Sequence, residues 1–186
     1  MIRFKRIQAV GRQINKTIIM YHGWGSTIDS QIVLGERFAR LGFDIIILEI
    51  MYHDTRQQLD NYFKKDIMQH YFWKTIFESV DEGLNLLRLV GLSKENTILF
   101  GSSMGGFIAS GLYASYPGFA GLISINSSGS FILSEMIFRE RDSRPPLNEE
   151  EIEKFKFYDP INKKIISKSP ILLLHGEKDL VVPIEG

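Results

Sequence analysis

The sequence has no cysteine, no excess of either charge and no long apolar run, and each absence removes a class of function. Without cysteine there is no disulfide framework, no thiolate zinc site, no Fe–S cluster and no CxxC redox chemistry. The 22 basic side chains balance 22 acidic ones, and no block of about five or six like charges occurs. A footprint for a phosphate backbone is therefore missing, and nucleic acid is not an expected partner. The longest apolar stretches, such as Ile45 to Leu48 and Ile171 to Leu174, are strand-sized, far short of the roughly 18 residues of a membrane helix. No membrane partner is expected. The charged start, Met1-Ile2-Arg3-Phe4-Lys5-Arg6, runs on to Gln13, Asn15 and Lys16 rather than into an apolar segment, so no secretory signal is read and a cytoplasmic location follows by default. The four histidines, at 22, 53, 70 and 175, include no HxxxH pair, and neither a metal nor a cofactor is expected.

What is present describes one ordinary globular domain: 186 residues, 44% hydrophobic and 24% charged. A chain of this length buries about two-thirds or more of its unfolded surface and needs no covalent staple. Short β-branched runs alternate with longer amphipathic ones, which predicts an α/β fold with a mainly parallel central sheet and helices on both faces. The expected strands are Thr17 to Tyr21, Asp44 to Glu49, Thr97 to Phe100, Ala120 to Ile125 and Ile171 to His175, most of them near-continuous apolar runs covered on both sides. Residues 2 to 10 offer an additional antiparallel edge strand. Helices are expected over Ser30 to Leu41, ending at Gly42, over Asp66 to Val90, and from Gly105 until Pro117 stops it.

The stretch from Asn126 to Ser169 breaks this rhythm with a polar run, Arg139 to Arg144, and then Pro145-Pro146. Asn148 followed by Glu151 predicts a capped helix through about Phe157. The stretch reads as a lid or cap inserted between two strands, about residues 127–168. Its Phe131, Ile132, Met136, Ile137 and Phe138 either line an acyl pocket or pack the insertion onto the body.

Three segments carry candidate chemistry. Gly101-Ser102-Ser103-Met104-Gly105-Gly106 contains GxSxG after an apolar strand and before a helix, the strand-turn-helix setting of a nucleophile elbow. The glycines allow a sharp, strained turn that lifts the Ser103 hydroxyl above the sheet, and the helix N-terminus favours developing negative charge. The same residues do not form GxGxxG, so dinucleotide binding is rejected. Tyr21-His22-Gly23-Trp24-Gly25 follows the early strand, and the backbone N–H of Trp24 with that of Met104 would form an oxyanion hole. His22 reads as orienting this loop rather than acting as a base. In Leu174-His175-Gly176-Glu177-Lys178-Asp179, the carboxylate of Asp179 either orients an imidazole or caps a turn. His53, at the carboxyl end of a central strand, and His22 are candidates for the substrate pocket. His70 falls in the aromatic cluster His70-Tyr71-Phe72-Trp73, where packing is the simpler role.

Strand-HGWG, strand-GSSMGG-helix and strand-HGEKDLVVP, in this order and spanning essentially the whole chain, resemble the α/β-hydrolase superfamily. Their flavour is similar to the small bacterial serine esterases of the dienelactone hydrolase and prolyl-oligopeptidase-like branch. The resemblance implies a serine hydrolase acting on a small-molecule ester, with Ser103 as nucleophile, Asp179 as acid and Trp24 and Met104 as oxyanion donors. The family places its histidine after the acid, whereas all four histidines here precede Asp179. Three explanations follow: the fold is C-terminally incomplete, lacking a helix, a strand and the histidine loop, about 50 to 60 residues of ordinary βα elements; His53 or His70 is recruited; or the chain is a non-catalytic scaffold. The oligomeric state is left open, although a missing last strand would expose a sheet edge.

Overall fold

The computed structural model describes residues 3–164 and 168–184. Six strands form one sheet: β1 (Phe4–Ile7), β2 (Thr17–Tyr21), β3 (Asp44–Leu48), β4 (Thr97–Ser102), β5 (Gly121–Ile125) and β6 (Ile171–Leu174). Their order is β1-β3-β2-β4-β5-β6; only β1 runs antiparallel, paired with β3 through Phe4 opposite Leu48 and Ile7 opposite Ile45. The helices are α1 (Ile32–Arg40), α2 (Lys65–Leu89), α3 (Met104–Ser115), α4 (Phe131–Arg141) and α5 (Glu149–Tyr158). This is the α/β-hydrolase arrangement: a mostly parallel mixed sheet, with helices against both faces.

The central strands read as unbroken apolar runs because alternate residues enter different cores. Ile18 and Met20 of β2, with Ile45 and Ile47 of β3, pack around Ala39 of α1. Ile19, Tyr21, Ile46, Leu48 and Leu99 face the other way, onto α2 and α3. All five and the four opposite them are at most 1% exposed. β6 departs from the expectation of full coverage: Ile171, Leu172, Leu173 and Leu174 are 44 to 68% exposed. It is the outermost strand beyond β5, and among the described residues no helix packs on it closely enough to bury a side chain.

Between β5 and β6 the chain leaves the sheet to form α4 and α5. The Asn148 side chain accepts from the Glu151 amide at 2.8 Å, and the Glu151 carboxylate accepts from the Asn148 amide at 2.9 Å, the predicted capping box. Buried Glu135 of α4 ties this insertion to the body: it accepts from the Trp73 indole N–H of α2 at 2.6 Å, and from Arg139 and Arg144 at 2.8 Å each. Residues 165–167, at the end of the expected insertion, lie outside the described residues. No helix of the described residues is long and apolar enough to cross a membrane.

Candidate active site

Ser103 stands between the last residue of β4 and the first of α3, with φ 53° and ψ −126°. A serine in this region is strained, and the surrounding hydrogen bonds hold it there. Its N–H donates to the Ile125 carbonyl at 2.9 Å, and its carbonyl accepts from the Gly106 amide at 2.8 Å. The two flanking glycines are enforced by close backbone approach. A Cβ on Gly101 would overlap the Gly105 carbonyl, and one on Gly105 would overlap the Tyr21 carbonyl at the end of β2. The hydroxyl does not cap α3, as a serine at a helix start often does, and it has no hydrogen-bond partner among the described residues.

The loop after β2 runs beside this hydroxyl. A Cβ built on Gly23 would lie 3.5 Å from Ser103 Cβ and 3.9 Å from its Oγ. The Trp24 indole N–H donates to the Tyr62 carbonyl at 2.8 Å, fixing the ring. Met104 is the first residue of α3, so its N–H belongs to the unpaired donors of a helix start. Neither it nor the Trp24 amide donates to a turn or loop carbonyl among the described residues.

His22 and His53 are both fully buried, and neither lines the cavity beside Ser103. Both ring nitrogens of each are occupied in holding backbone or carboxylate, which for His22 is the loop-orienting role read from the sequence and for His53 is neither a pocket wall nor a surface loop. His53 donates from Nδ1 to the Met51 carbonyl at 2.9 Å and accepts at Nε2 from the Gly25 amide at 3.0 Å. It stacks on Tyr62 and meets the edges of Trp24 and His22. Burial pushes its pKa down to about 4, so the ring is neutral near pH 7. His22 donates from Nδ1 to the Gly23 carbonyl at 2.9 Å, and its Nε2 lies 3.3 Å from Asp54 Oδ2; Asp54 Oδ1 accepts from the Ile28 amide. The irregular segment after β3, with Tyr52, Asp54 and Gln57 all at positive φ, thereby clamps the HGWG loop.

Asp179 lies in the turn after β6. Its Oδ1 accepts from the Val181 and Val182 amides at 2.8 and 3.0 Å, and its own N–H donates to the Gly176 carbonyl at 3.0 Å. His175 donates from Nε2 to the Val182 carbonyl at 2.8 Å, and Asn126 Oδ1 accepts from the Gly176 amide. Asp179 therefore does cap a turn, and it borders a surface depression separate from the cavity at Ser103. Exposed His70 on α2 lies against Tyr71 and borders another depression. Among the described residues, no histidine ring reaches Ser103.

The cavity at Ser103 has a volume of about 310 Å³. Its walls include Trp24, Phe72 and Trp73, Phe138 of α4, and Val181 and Val182 from the Asp179 turn. Of the insertion's apolar residues, Phe138 alone of the five proposed reaches this cavity; Phe131 is sealed in the core and Met136 is 55% exposed. Sequence reasoning missed Phe72 and Trp73 as cavity residues. Their signal, an aromatic cluster on a helix, is the same one that ordinary core packing produces.

The family model for the alpha/beta hydrolase fold matches residues 16–148, and the chain belongs to that family. Among solved structures, esterase PE8 covers the whole chain at 20% identity with a TM-score of 0.62, and the chain spans 79% of it. TT1662 from Thermus thermophilus likewise covers the whole chain, at 17% identity and TM-score 0.67, again over 79% of its own length. The acylaminoacyl peptidase of Pyrococcus horikoshii covers 99% of this chain at 19% identity and TM-score 0.66, while the chain spans 31% of that protein. At these identities the likeness is one of fold. No curated protein matches the sequence significantly.

Proposed function

We propose that the protein is a serine hydrolase of carboxylic esters working through an acyl-enzyme. The observation that carries the reading is the strained Ser103 at the start of α3, its hydroxyl uncommitted and bordering a cavity. In this reaction Ser103 Oγ bonds to the ester carbonyl carbon while its proton passes to a histidine and then to the departing alcohol. The Trp24 and Met104 N–H groups hold the oxyanion, and Asp179 supports the charged imidazole. Water then attacks the acyl-enzyme and releases the acid. Among the described residues the rings of 22, 53 and 175 are committed elsewhere and that of 70 lies against Tyr71, so none of the four stands against Ser103 as the relay. In this reading α4 and α5 form the lid.

The test is hydrolysis of p-nitrophenyl butyrate by the protein at its genome-encoded length, beside Ser103→Ala. The variant is expected to lose turnover by about 10⁴-fold or more. Equal turnover by both proteins would overturn the proposal. The lack of a histidine against Ser103 among the described residues favours a second reading, a non-catalytic scaffold or binding protein on the same fold. A fluorophosphonate probe separates the two: covalent labelling of Ser103 supports the hydrolase, and an unlabelled, folded protein supports the scaffold.

A further inference from the structure

Most polar groups around the cavity at Ser103 already have partners, and the exception is the informative one. The indole N–H groups of Trp24 and Trp73, two of its wall rings, are held by the Tyr62 carbonyl and by Glu135. Glu135 is 3% exposed and also accepts from Arg139 and Arg144. Asp142 accepts from Gln69 at 3.3 Å, and Arg141 donates to the Leu180 and Val181 carbonyls. Arg144 is different. Its two Nη atoms reach Glu135 at 2.8 and 3.4 Å, yet its Nε is buried and has no hydrogen-bond partner. Asp142 Oδ2 lies 3.6 Å from that nitrogen, beyond hydrogen-bond reach.

A charged donor taken out of water and left unpaired is costly, and native proteins keep few such groups. Among the described residues four buried side-chain atoms lack a partner: Tyr21 Oη, Gln31 Oε1, Ser79 Oγ and Arg144 Nε. Of these four residues Arg144 alone borders the cavity at Ser103. Its guanidinium is also fixed in advance, because the side chain is 19% exposed and Glu135 grips its far end. Such a donor can read a ligand without first being ordered. Charge alone does not choose the partner: Glu135, Asp142 and Glu151 balance Arg139, Arg141 and Arg144 around the site. What is lacking is an acceptor oxygen, and the cavity is open to one.

The rest of the wall suits an apolar segment. Phe72 meets Trp24, Trp73 and Phe138 edge-on, with ring centroids 5.9, 5.4 and 6.1 Å apart, so these rings form one continuous surface. We propose, resting on the hydrolase reading above, that Arg144 is a substrate-binding residue whose Nε donates to an oxygen of the ester outside the scissile group. The substrate of Ser103 is then an ester with a second oxygen acceptor, a carbonyl, ether or carboxylate, joined to the scissile group by an apolar segment that lies on the rings.

The experiment uses the protein at its encoded length and esters matched in size, with acid release followed by titration at constant pH. Methyl pentanoate is compared with methyl levulinate and monomethyl succinate, which place a neutral and an anionic oxygen in the acid part; butyl acetate is compared with methoxyethyl acetate, which places one in the alcohol part. Each is run with wild type, Ser103→Ala, Arg144→Lys, Arg144→Met and Arg139→Lys, with thermal melts to establish folding. Arg139 grips the same Glu135 carboxylate at 2.8 Å but does not border the cavity, so it controls for a purely structural effect. In wild type at least one acceptor ester should exceed its alkyl counterpart in kcat/KM by about tenfold or more, as a charged donor gains its partner. Which ester does so identifies the acceptor. That ratio should fall to about two or less in both Arg144 variants and persist in Arg139→Lys, whereas a merely structural role would lower both rates together. Ser103-dependent turnover with no preferred acceptor ester, a preference that survives the loss of Arg144, or one lost equally in Arg139→Lys overturns this inference and leaves the hydrolase standing. Should neither Arg144 variant fold, the ratios of wild type and Arg139→Lys decide. Activity unaffected by Ser103→Ala, or no turnover of any ester, removes the hydrolase reading and this one with it.

Discussion

The two sides of Ser103 are built to different standards. Toward β2 and β3, strand side chains are at most 1% exposed from Ile18 to Tyr21 and from Ile45 to Leu48, and the HGWG loop is pinned by two buried histidines and Asp54. Toward β6, all four strand side chains are 44 to 68% exposed, and the Asp179 turn is held by hydrogen bonds within residues 175–182, by Asn126 and Arg141, and by the buried Val182 side chain. Ser103, the proposed nucleophile, and the two amides proposed as oxyanion donors therefore sit on a closely packed frame. Asp179, the proposed acid, sits on a turn beyond an exposed strand. In such a molecule a substitution on the β2 side reaches the fold itself, whereas one on the β6 side acts on the site with little effect on stability.

The largest effect is expected at the join of elbow and frame. Gly105→Ala would drive a methyl into the Tyr21 and His22 carbonyl groups, which are backbone and cannot step aside. It should cost more than about 4 kcal/mol, or abolish folding, measured by urea denaturation. Truncating the core beneath is expected to come next: Ile19→Ala, at a fully buried β2 position, should cost about 2–5 kcal/mol in the same assay. A loss below about 1 kcal/mol for either would remove the contrast between the two sides.

His53 gives the comparison a pH axis. Burial lowers its pKa from 6.5 to about 4, countered in part by the Met51 hydrogen bond and by Asp54, and reinforced by His22 beside it. In the unfolded chain the ring takes up its proton near pH 6.5; in the folded protein it resists until about pH 4. Its stabilising contribution is thus present above pH 6.5 and is lost as the pH falls from there through about 4. A displacement of this size corresponds to about 3 kcal/mol. Carboxylates titrate in the lower part of that window, so the measurement is a difference: urea midpoints of wild type and His53→Asn between about pH 7 and 4. The asparagine amide would keep a donor and an acceptor but not the titration. Wild type should lose about 3 kcal/mol more than the variant; parallel pH curves would mean that the ring is not held neutral by its surroundings.

Much of this frame is legible in the sequence because its causes are local. β2, β3 and β4 appear as apolar runs, Asn148 and Glu151 announce their capping box, and Gly101 and Gly105 flank a serine because two backbones pass there without room for a side chain. The histidines mislead for a physical reason. A histidine at the end of a central strand has the same local pattern whether its ring faces a ligand or accepts from a backbone amide 28 residues away, as His53 does from Gly25. Phe72 and Trp73 are hidden in the same way, since residues of one aromatic cluster both fill the core and wall the cavity. The exposure of β6 has no signal in the strand itself, because Ile-Leu-Leu-Leu reads as a fully covered strand; its only hint is the placing of all four histidines before Asp179, which points to an unprotected sheet edge.

That last mismatch sets the smallest predicted effect and the one that most sharpens the contrast. Leu173 is 68% exposed, so Leu173→Ala removes little buried area and should change stability by no more than about 0.5 kcal/mol. The same truncation at Ile19 removes a side chain at 0% exposure. Run side by side on the protein at its encoded length, the pair measures how far the covered part of the sheet extends. A cost at Leu173 near that at Ile19 would mean that β6 is buried by something outside the described residues, and the Asp179 turn would then stand on a frame as firm as that of Ser103. A cost near zero leaves Asp179 on a turn held by the Val181 and Val182 amides and anchored to the core through the buried Val182 side chain rather than through β6.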